Sequence, residues 1–386
     1  MSAEPAKPFQ DLLIVELAGS VAGGYAGKLF AGFGARVLLI EPPGGDPNRL
    51  LGERLGDAGT LFAWLHAGKR SVCLDHQSAR SHELLTQLFN RADVVIESSS
   101  PEPLRPQTGG LSNARLVKLY VSPFGLTGPY KDYRSTPFTD YAAGGQMYVT
   151  GEPDREPLQG AGRQAEYAAG AYGFIATMAA LRHRAACGTG QTIDVSHMEA
   201  MASLHQWTSV KWTHSGTIER RIGNRYSSAH PITIYPCKDG YVGVSAASDL
   251  TAERFLNVIG IGHLFADARF ATGLDRLEHY EAFDAAILPW LMAHTVAEIV
   301  ALGQAVRVPV GPVPGMLELL HDPHLAARGF FETVDLEGRT LRFPGAPFRL
   351  SRHAWHLLPA PCRDADAAMT LDTLQQPATG AEAADG

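Results

Sequence analysis

Short, continuous apolar runs punctuate the first half of the chain: LLIVEL (12–17), ARVLLIE (35–41), SVCLD (71–75), ADVVIE (92–97) and RLVKLYVS (115–122). Each is too short for a helix and is bounded by glycine, a turn or a charge, the signature of a buried strand. Between them, residues 19–34 form a helical stretch rich in small residues. Residues 78–90 are amphipathic, with Ser78 in the N-cap position. Strands alternating with helices predict an α/β fold, a mostly parallel sheet with helices on both sides.

The middle of the chain, PLQGAGRQAEYAAGAYGFIATMAAL (157–181), begins as a glycine-containing turn and becomes a helix near Gln164. Glu166, Gly170, Gly173 and Thr177 share one face; Tyr167, Ala171, Phe174, Met178 and Leu181 share another. The large apolar face is expected to meet the core. The glycine face lets a second backbone or a ligand come close, with one carboxylate at its N-terminal end, where the helix dipole favours it. On these residues alone Glu166 is also an ordinary first-turn acid. The helix is expected to end near Arg184, followed by a strand at 191–195 and a helix at 198–214 with Met201, Leu204, Trp207 and Val210 as its apolar positions.

The pattern then changes. RRIGNRY (220–226) is basic and polar. Residues 231–245 read as a hairpin with a Lys-Asp-Gly turn, residues 250–305 as mainly helical, VPVGPV (308–313) as extended, and 334–343 as a second hairpin turning at Glu337-Gly338. This predicts a mostly parallel α/β domain in the first half, a smaller α+β domain after it and a flexible tail (363–386).

Composition narrows the chemistry. A net charge of −7 over 386 residues argues against a general nucleic-acid or membrane-surface binder. No apolar run approaches the ~20 residues of a membrane span. Cys73, Cys187, Cys237 and Cys362 are scattered, make no metal pattern and suit the reduced thiols of a cytoplasmic protein. The turn Gly68-Lys69-Arg70-Ser71 is either a solvated turn or an anion cradle. The glycines of AGSVAGGYAG do not form GxGxxG, so a nicotinamide enzyme with Glu41 on a ribose lacks its fingerprint. A non-enzymatic interaction protein fits poorly with a glycine-lined helix face headed by one carboxylate.

Together, VELAGSVAGGYAGKLFAGFGARVLLIEPPGGDPNR, GKRSVCLD, ADVVIE, FGLTGPY, EYAAGAYGFIATMAALRHR, GTGQTIDVSHMEAM, YPCKDGYV, DARFATGLDR, VPVGPV, HDPHLAARGFF and PGAPFRLS resemble the family III CoA-transferases in order and spacing, from Pro8 to Ser351. The resemblance implies a Rossmann-like large domain made of both chain ends (1–215, completed by 326–362) around a small domain (216–325), an interlocked homodimer, acyl-CoA and carboxylic acid substrates, no metal and no permanently bound cofactor, the coenzyme A thioester entering as substrate. The family's nucleophile is an aspartate four residues before the glycine that here is Gly170. That position holds Glu166, a carboxylate one methylene longer. The coenzyme-binding positions fall on Val21 and Ala22, on Lys69 and Arg70, on Ser98 (where the family's Asn-Phe is replaced by Ser98-Ser99) and on Arg134. Tyr141 replaces the glutamine before the central glycine pair, and the glycine-rich lid has no counterpart between Arg220 and Tyr241.

The chemistry this implies is attack of the Glu166 carboxylate on a thioester, giving an anhydride and then a glutamyl-CoA thioester. Backbone N–H groups from Val21 to Gly24, or at Gly144-Gly145, would stabilise the oxyanions. Two alternatives within the fold are an acyl-CoA racemase, whose histidine has no match in 124–145, and a CoA-ester binder with little turnover. Phe124, Tyr130, Phe138, Tyr141 and Trp207 are either pocket or core and favour a medium or bulky acyl group. His230 is either a cleft residue or a hydrogen-bonded linker histidine.

Overall fold

The computed structural model describes residues 7–98 and 111–366, apart from residues 18, 76, 337, 354 and 356. The chain forms two compact units. The first comprises the described residues within Met1–Gln146, Gln159–Val210 and Gly329–Gly386; the second comprises Met147–Leu158 and Lys211–Arg328.

In the first unit the elements follow as β1 (Leu13–Leu17), α1 (Val21–Gly32), β2 (Arg36–Glu41), a small hairpin of β3 (Arg54–Leu55) and β4 (Ala58–Gly59), α2 (Thr60–Leu65), β5 (Arg70–Cys73), α3 (Ala79–Arg91), β6 (Val94–Glu97), β7 (Val117–Ser122), α4 (Pro137–Ala143), α5 (Gln164–Cys187), β8 (Thr192–Ser196), α6 (His197–Ala202) and the start of α7 (Gln206–Ser215), whose last residues from Lys211 belong to the second unit. Six strands make one sheet in the order β5-β2-β1-β6-β7-β8, every neighbouring pair parallel. The strands alternate in the pleat between two cores. Ile14, Val37, Ile96 and Leu119 meet Phe30 of α1 and Phe174 of α5 on one face. Val15, Leu17, Leu38 and Val95 meet Leu85, Leu88 and Phe89 of α3 on the other. Each such Phe or Leu side chain contributes roughly 1.5–3 kcal/mol by leaving water.

The large apolar face of α5 meets the core through Phe174, with Met178 and Leu181 packed against it, and the glycine face is buried as well: Glu166, Gly170, Gly173 and Thr177 are all inside. Three expectations are corrected. Helix α5 runs three residues past Arg184, to Cys187, and stops where Gly188 takes the left-handed conformation (φ 81°). The single helix expected over 198–214 is broken into α6, a tight turn at Ser203–His205 and α7. Its apolar positions Leu204, Trp207 and Val210 are exposed rather than core. The tail is tied down at its start: Ser71 N–H donates to the Asp366 carboxylate, Cys73 N–H to Asp364 and Arg363 N–H to Asp57, which covers the free edge of β5. Residues 367–386, Ser99 and Glu337 lie outside the described residues.

The second unit contains an antiparallel sheet of β9 (Ile232–Cys237), β10 (Gly240–Ser245) and β11 (Val310–Pro312), with α8 (Asp249–Val258), α9 (Gly273–Glu278), α10 (Tyr280–Ala293) and α11 (Val296–Ala305). Tyr235, Val242, Val244, Phe255, Phe283 and Leu291 form its core. A second hairpin, β12 (Phe331–Leu336) and β13 (Arg339–Pro344), belongs to the first unit. Among the described residues no single helix is long and apolar enough to cross a membrane.

Candidate active site

The strand order reverses between β1 and β6: the chain moves outward through β2 and β5, then returns to the far side of β1. Crevices at such a switch point, beyond the strands' C-terminal ends, are where open α/β sheets bind ligands. Helix α1 starts there. Ser20 caps it, its Oγ accepting from Gly23 N–H at 3.3 Å. The N–H groups of Val21 and Ala22 precede the first intrahelical bonds and are directed off the helix end. Ser98, just after β6, is buried beside them. A methyl built on Gly23 would fall 2.1 Å from Ser98 Oγ. That hydroxyl has no hydrogen-bond partner among the described residues. The fold thus brings Ser98 to the first turn of α1, against Gly23.

Helix α5 reaches the same place. A methyl built on Gly170 would fall 2.5 Å from the Ala22 carbonyl oxygen, so α5 and α1 touch backbone to backbone. Glu166 lies one turn earlier on that face and is only 6% exposed. Arg163, at the N-cap of α5, donates from Nη1 to Glu166 Oε2 at 2.8 Å. Next to the carboxylate, Tyr167 packs edge-on against Tyr25 (5.1 Å between ring centres) and Trp64 (5.9 Å). Burial raises both tyrosine pKa values, so these phenols stay protonated. The buried Glu166 carboxylate, paired with the half-buried Arg163, therefore has the start of α1 on one side and an aromatic wall on another.

The expectation that Lys69 holds a coenzyme phosphate is not met by its geometry. Its side chain is fully buried behind α1. The ammonium donates to both oxygens of Glu16 (2.8 and 2.7 Å) and to the Gly24 carbonyl (2.8 Å), and lies 3.1 Å from His66 Nδ1. Burial raises the Glu16 pKa to about 7 despite Lys69, and Asp46 to about 6. Burial, then the nearby Lys69 charge, pushes His66 well below its usual value. These groups form a buried ionic floor that supports α1 from behind. Arg70 is half-buried at the start of β5, and Arg134 is exposed in the loop before α4. Tyr141 is half-buried, and a methyl built on Gly160 would fall 2.7 Å from its hydroxyl. Phe138, Tyr130 and Trp207 are exposed.

Glu41 is not free to hold a ribose. It accepts two hydrogen bonds from Arg49 (2.7 Å each), one from Asp46 N–H and one from the Ser71 hydroxyl. His230, in the second unit, is fully buried and bonded to Asp284 (2.8 Å) and Tyr235 (3.1 Å). It is the hydrogen-bonded histidine of the two readings. Sequence reasoning missed two pairings. Arg163 was readable, because a cation three residues before a helical acid is a neighbour. The buried pair His197–Asp140 (Nδ1 to Oδ2, 2.8 Å) joins α6 to α4 across 57 positions and left no local signal. Among the described residues no His, Cys, Asp and Glu cluster could hold a metal.

The chain is similar to known proteins along most of its length. The chain is 32% identical to succinyl-CoA–D-citramalate CoA-transferase of Chloroflexus aurantiacus over 336 residues, covering 85% of this chain and 83% of that protein. It is 30% identical to succinate–glutarate CoA-transferase of Agrobacterium fabrum, covering 86% and 85%. The crystal structure of a CaiB/BaiF family protein from Brucella suis superposes with a TM-score of 0.84 at 29% identity, over 94% of this chain and 98% of that one. The model of CoA-transferase family III matches residues 9–367. The chain belongs to CoA-transferase family III and is an enzyme of that class, moving coenzyme A from an acyl-CoA thioester to a carboxylic acid.

Proposed function

We propose that Glu166 is the nucleophile of this transfer and that the first residues of α1 stabilise the oxyanions it generates. One observation carries the reading: Glu166 is a buried carboxylate one helical turn from the contact between Gly170 and the Ala22 carbonyl. The Val21 and Ala22 N–H groups at the end of α1 suit a developing negative charge. The buried Ser98 hydroxyl, without a partner among the described residues, is a further donor there. The Glu166 carboxylate attacks the thioester carbonyl, expels the CoA thiolate and becomes an acyl anhydride. The thiolate returns to the glutamyl carbonyl and releases the donor acid. The acceptor acid reverses both steps. No group beyond the two substrates enters this scheme.

Several relatives carry succinyl-CoA in their names, which favours a short dicarboxylic acyl group over a bulky apolar one. Succinyl-CoA is therefore the first donor to test. Intact-protein and peptide mass spectrometry after incubation with it, with hydroxylamine trapping, should place a coenzyme A or hydroxamate adduct on Glu166 that is absent in Glu166→Gln. A folded wild type that shifts its melting temperature with the thioester, yet yields no adduct, would favour a binder or racemase instead.

The exposed apolar residues Leu204, Trp207, Val210 and Trp212 along α7 and the turn before it support a second proposal, that this face is covered by another copy in an interlocked homodimer. Light scattering should give twice the chain mass, and a monomer at micromolar concentration would remove it.

A further inference from the structure

We infer that Arg163 is the binding residue for the attacking carboxylate of the acceptor acid, at a site that opens only when Glu166 has been acylated. The inference rests on the reading of Glu166 as the nucleophile.

In the resting protein the two groups satisfy each other: Nη1 of Arg163 lies 2.8 Å from Oε2 of Glu166. Among the described residues this is the one ion pair either of them makes. The pair is asymmetric. The Glu166 side chain is 7% exposed and the Arg163 side chain 32%, so the guanidinium is the member that solvent, and an incoming anion, meets. The guanidinium's bond is to the reacting carboxylate, in the first turn of α5.

Acylation removes that contact's basis. The Glu166 oxygen bonds to the donor acyl carbon as the C–S bond breaks and the CoA leaves as thiolate. The thiolate then bonds to the glutamyl carbon, the anhydride C–O bond breaks, and the donor acid departs as a carboxylate. Glu166 is now a neutral thioester. A guanidinium cannot lose its proton at any working pH, so Arg163 is left as a cation without its counter-charge. Its planar fork of N–H donors matches a carboxylate and stands beside the glutamyl carbonyl that the acceptor has to attack. The acceptor carboxylate bonds to that carbon and the C–S bond breaks. The returning thiolate attacks the acceptor acyl carbon, and the last C–O cleavage restores the Glu166 carboxylate and the original pair. No net proton or electron is exchanged. The same arrangement keeps the acid out of turn, because in the resting enzyme its place is filled by Glu166 itself.

The test is isotope exchange between succinyl-CoA and labelled succinate, with acetyl-CoA and acetate as a monocarboxylic pair, for wild type, Arg163→Gln and Arg163→Lys. Adduct formation on Glu166 is followed in parallel. In Arg163→Gln the KM for succinate and for acetate should both rise about ten- to a hundredfold, the worth of a hydrogen bond to a charged group. The KM for the thioester should stay near wild type, and the adduct should still form. Arg163→Lys should recover part of the loss. An unchanged acid KM with slower adduct formation would mean that Arg163 only orients Glu166, and would overturn the inference while leaving the nucleophile in place. A loss for succinate but not acetate would assign Arg163 to the distal carboxylate and also overturn it. No adduct in the wild type would remove the nucleophile reading itself. Should Arg163→Gln fail to fold, wild-type kinetics decide: succinate competing with succinyl-CoA for the resting enzyme would overturn the inference, and its absence at high succinate would support it.

Discussion

The carbonyl oxygen of Ala22 lies where any side chain at position 170 would have to go: a methyl built on Gly170 falls 2.5 Å from it, and 3.2 Å from Tyr25 Cβ. The neighbour is backbone and cannot rotate away, so the two helices must separate. Gly170→Ala should lose about 1–3 kcal/mol of stability through overpacking. It should also lose activity out of proportion to that, because Glu166 and the start of α1 would be pushed apart, and misplacement by ~1 Å costs about a hundredfold. Thermal melts beside kcat/KM at a temperature where the variant is folded would check this. A folded variant with full activity would show that the approach of α5 to α1 does not set the reacting geometry.

Lys69 and Glu16 give opposite expectations for a surface phosphate ligand and a buried support. Lys69→Met removes the cation bonded to both Glu16 oxygens in a fully buried position. It should destabilise the protein by roughly 3–5 kcal/mol, as breaking a buried pair does. The double variant Lys69→Met/Glu16→Gln should recover much of that, since the orphaned carboxylate is then gone. Denaturant unfolding of the three proteins decides. Unchanged stability with weakened coenzyme A affinity would return Lys69 to the phosphate site.

The same cluster has a pH signature. Burial raises Glu16 from 4.5 to about 7, so the folded protein holds a proton that the unfolded chain has already released. Its contribution is fully present below about 4.5 and is lost as pH rises through about 7. Asp46, raised to about 6, acts in the same direction. His66, depressed by burial and by Lys69, acts in the opposite one, its contribution growing as pH rises toward its unfolded value. A whole-protein pH profile mixes the three, whereas a difference isolates Glu16. The melting temperature of Glu16→Gln minus that of wild type should increase between about pH 5 and about pH 8. A difference that stays flat over that range would show that Lys69 keeps Glu16 ionised.

Much of the first unit was legible because its strands are buried on both faces and read as unbroken apolar runs: Ile14 and Val15 are adjacent yet serve opposite cores. The start of α5 and the place of Glu166 were legible for the same local reasons. The destination of the glycine face was not. Periodicity tells which residues share a side but not whether that side meets a ligand or another helix, and here the partner of Gly170 is a backbone atom of Ala22, 148 positions earlier. Lys69 was misread for a related reason. A lysine in a Gly-Lys-Arg turn looks solvated until a carboxylate 53 positions away turns out to sit beneath it. The exposure of Trp207 and Val210 on α7 was not legible because apolar residues at helical spacing do not tell whether their face is buried or exposed.

In the second unit, Arg276 is fully buried and joins segments that no strand pairing connects. Its guanidinium donates to the His230 carbonyl (2.7 Å), the Phe270 carbonyl (2.9 Å), the Ala271 carbonyl (3.4 Å) and Asp249 (2.8 Å). The Asp249 side chain is largely exposed, so that pair alone is worth little. The weight falls on the buried His230 and Phe270 carbonyls, which have no other donor among the described residues once the arginine is removed and cost about 1–3 kcal/mol each if left unpaired. Arg276→Met keeps the stem packing and deletes every donor, and should cost at least about 3 kcal/mol in urea unfolding. Arg276→Lys keeps the charge but offers one ammonium in place of a planar fork, and should recover less than half of the loss. If the lysine variant were as stable as wild type, charge rather than fork geometry would be what Arg276 supplies.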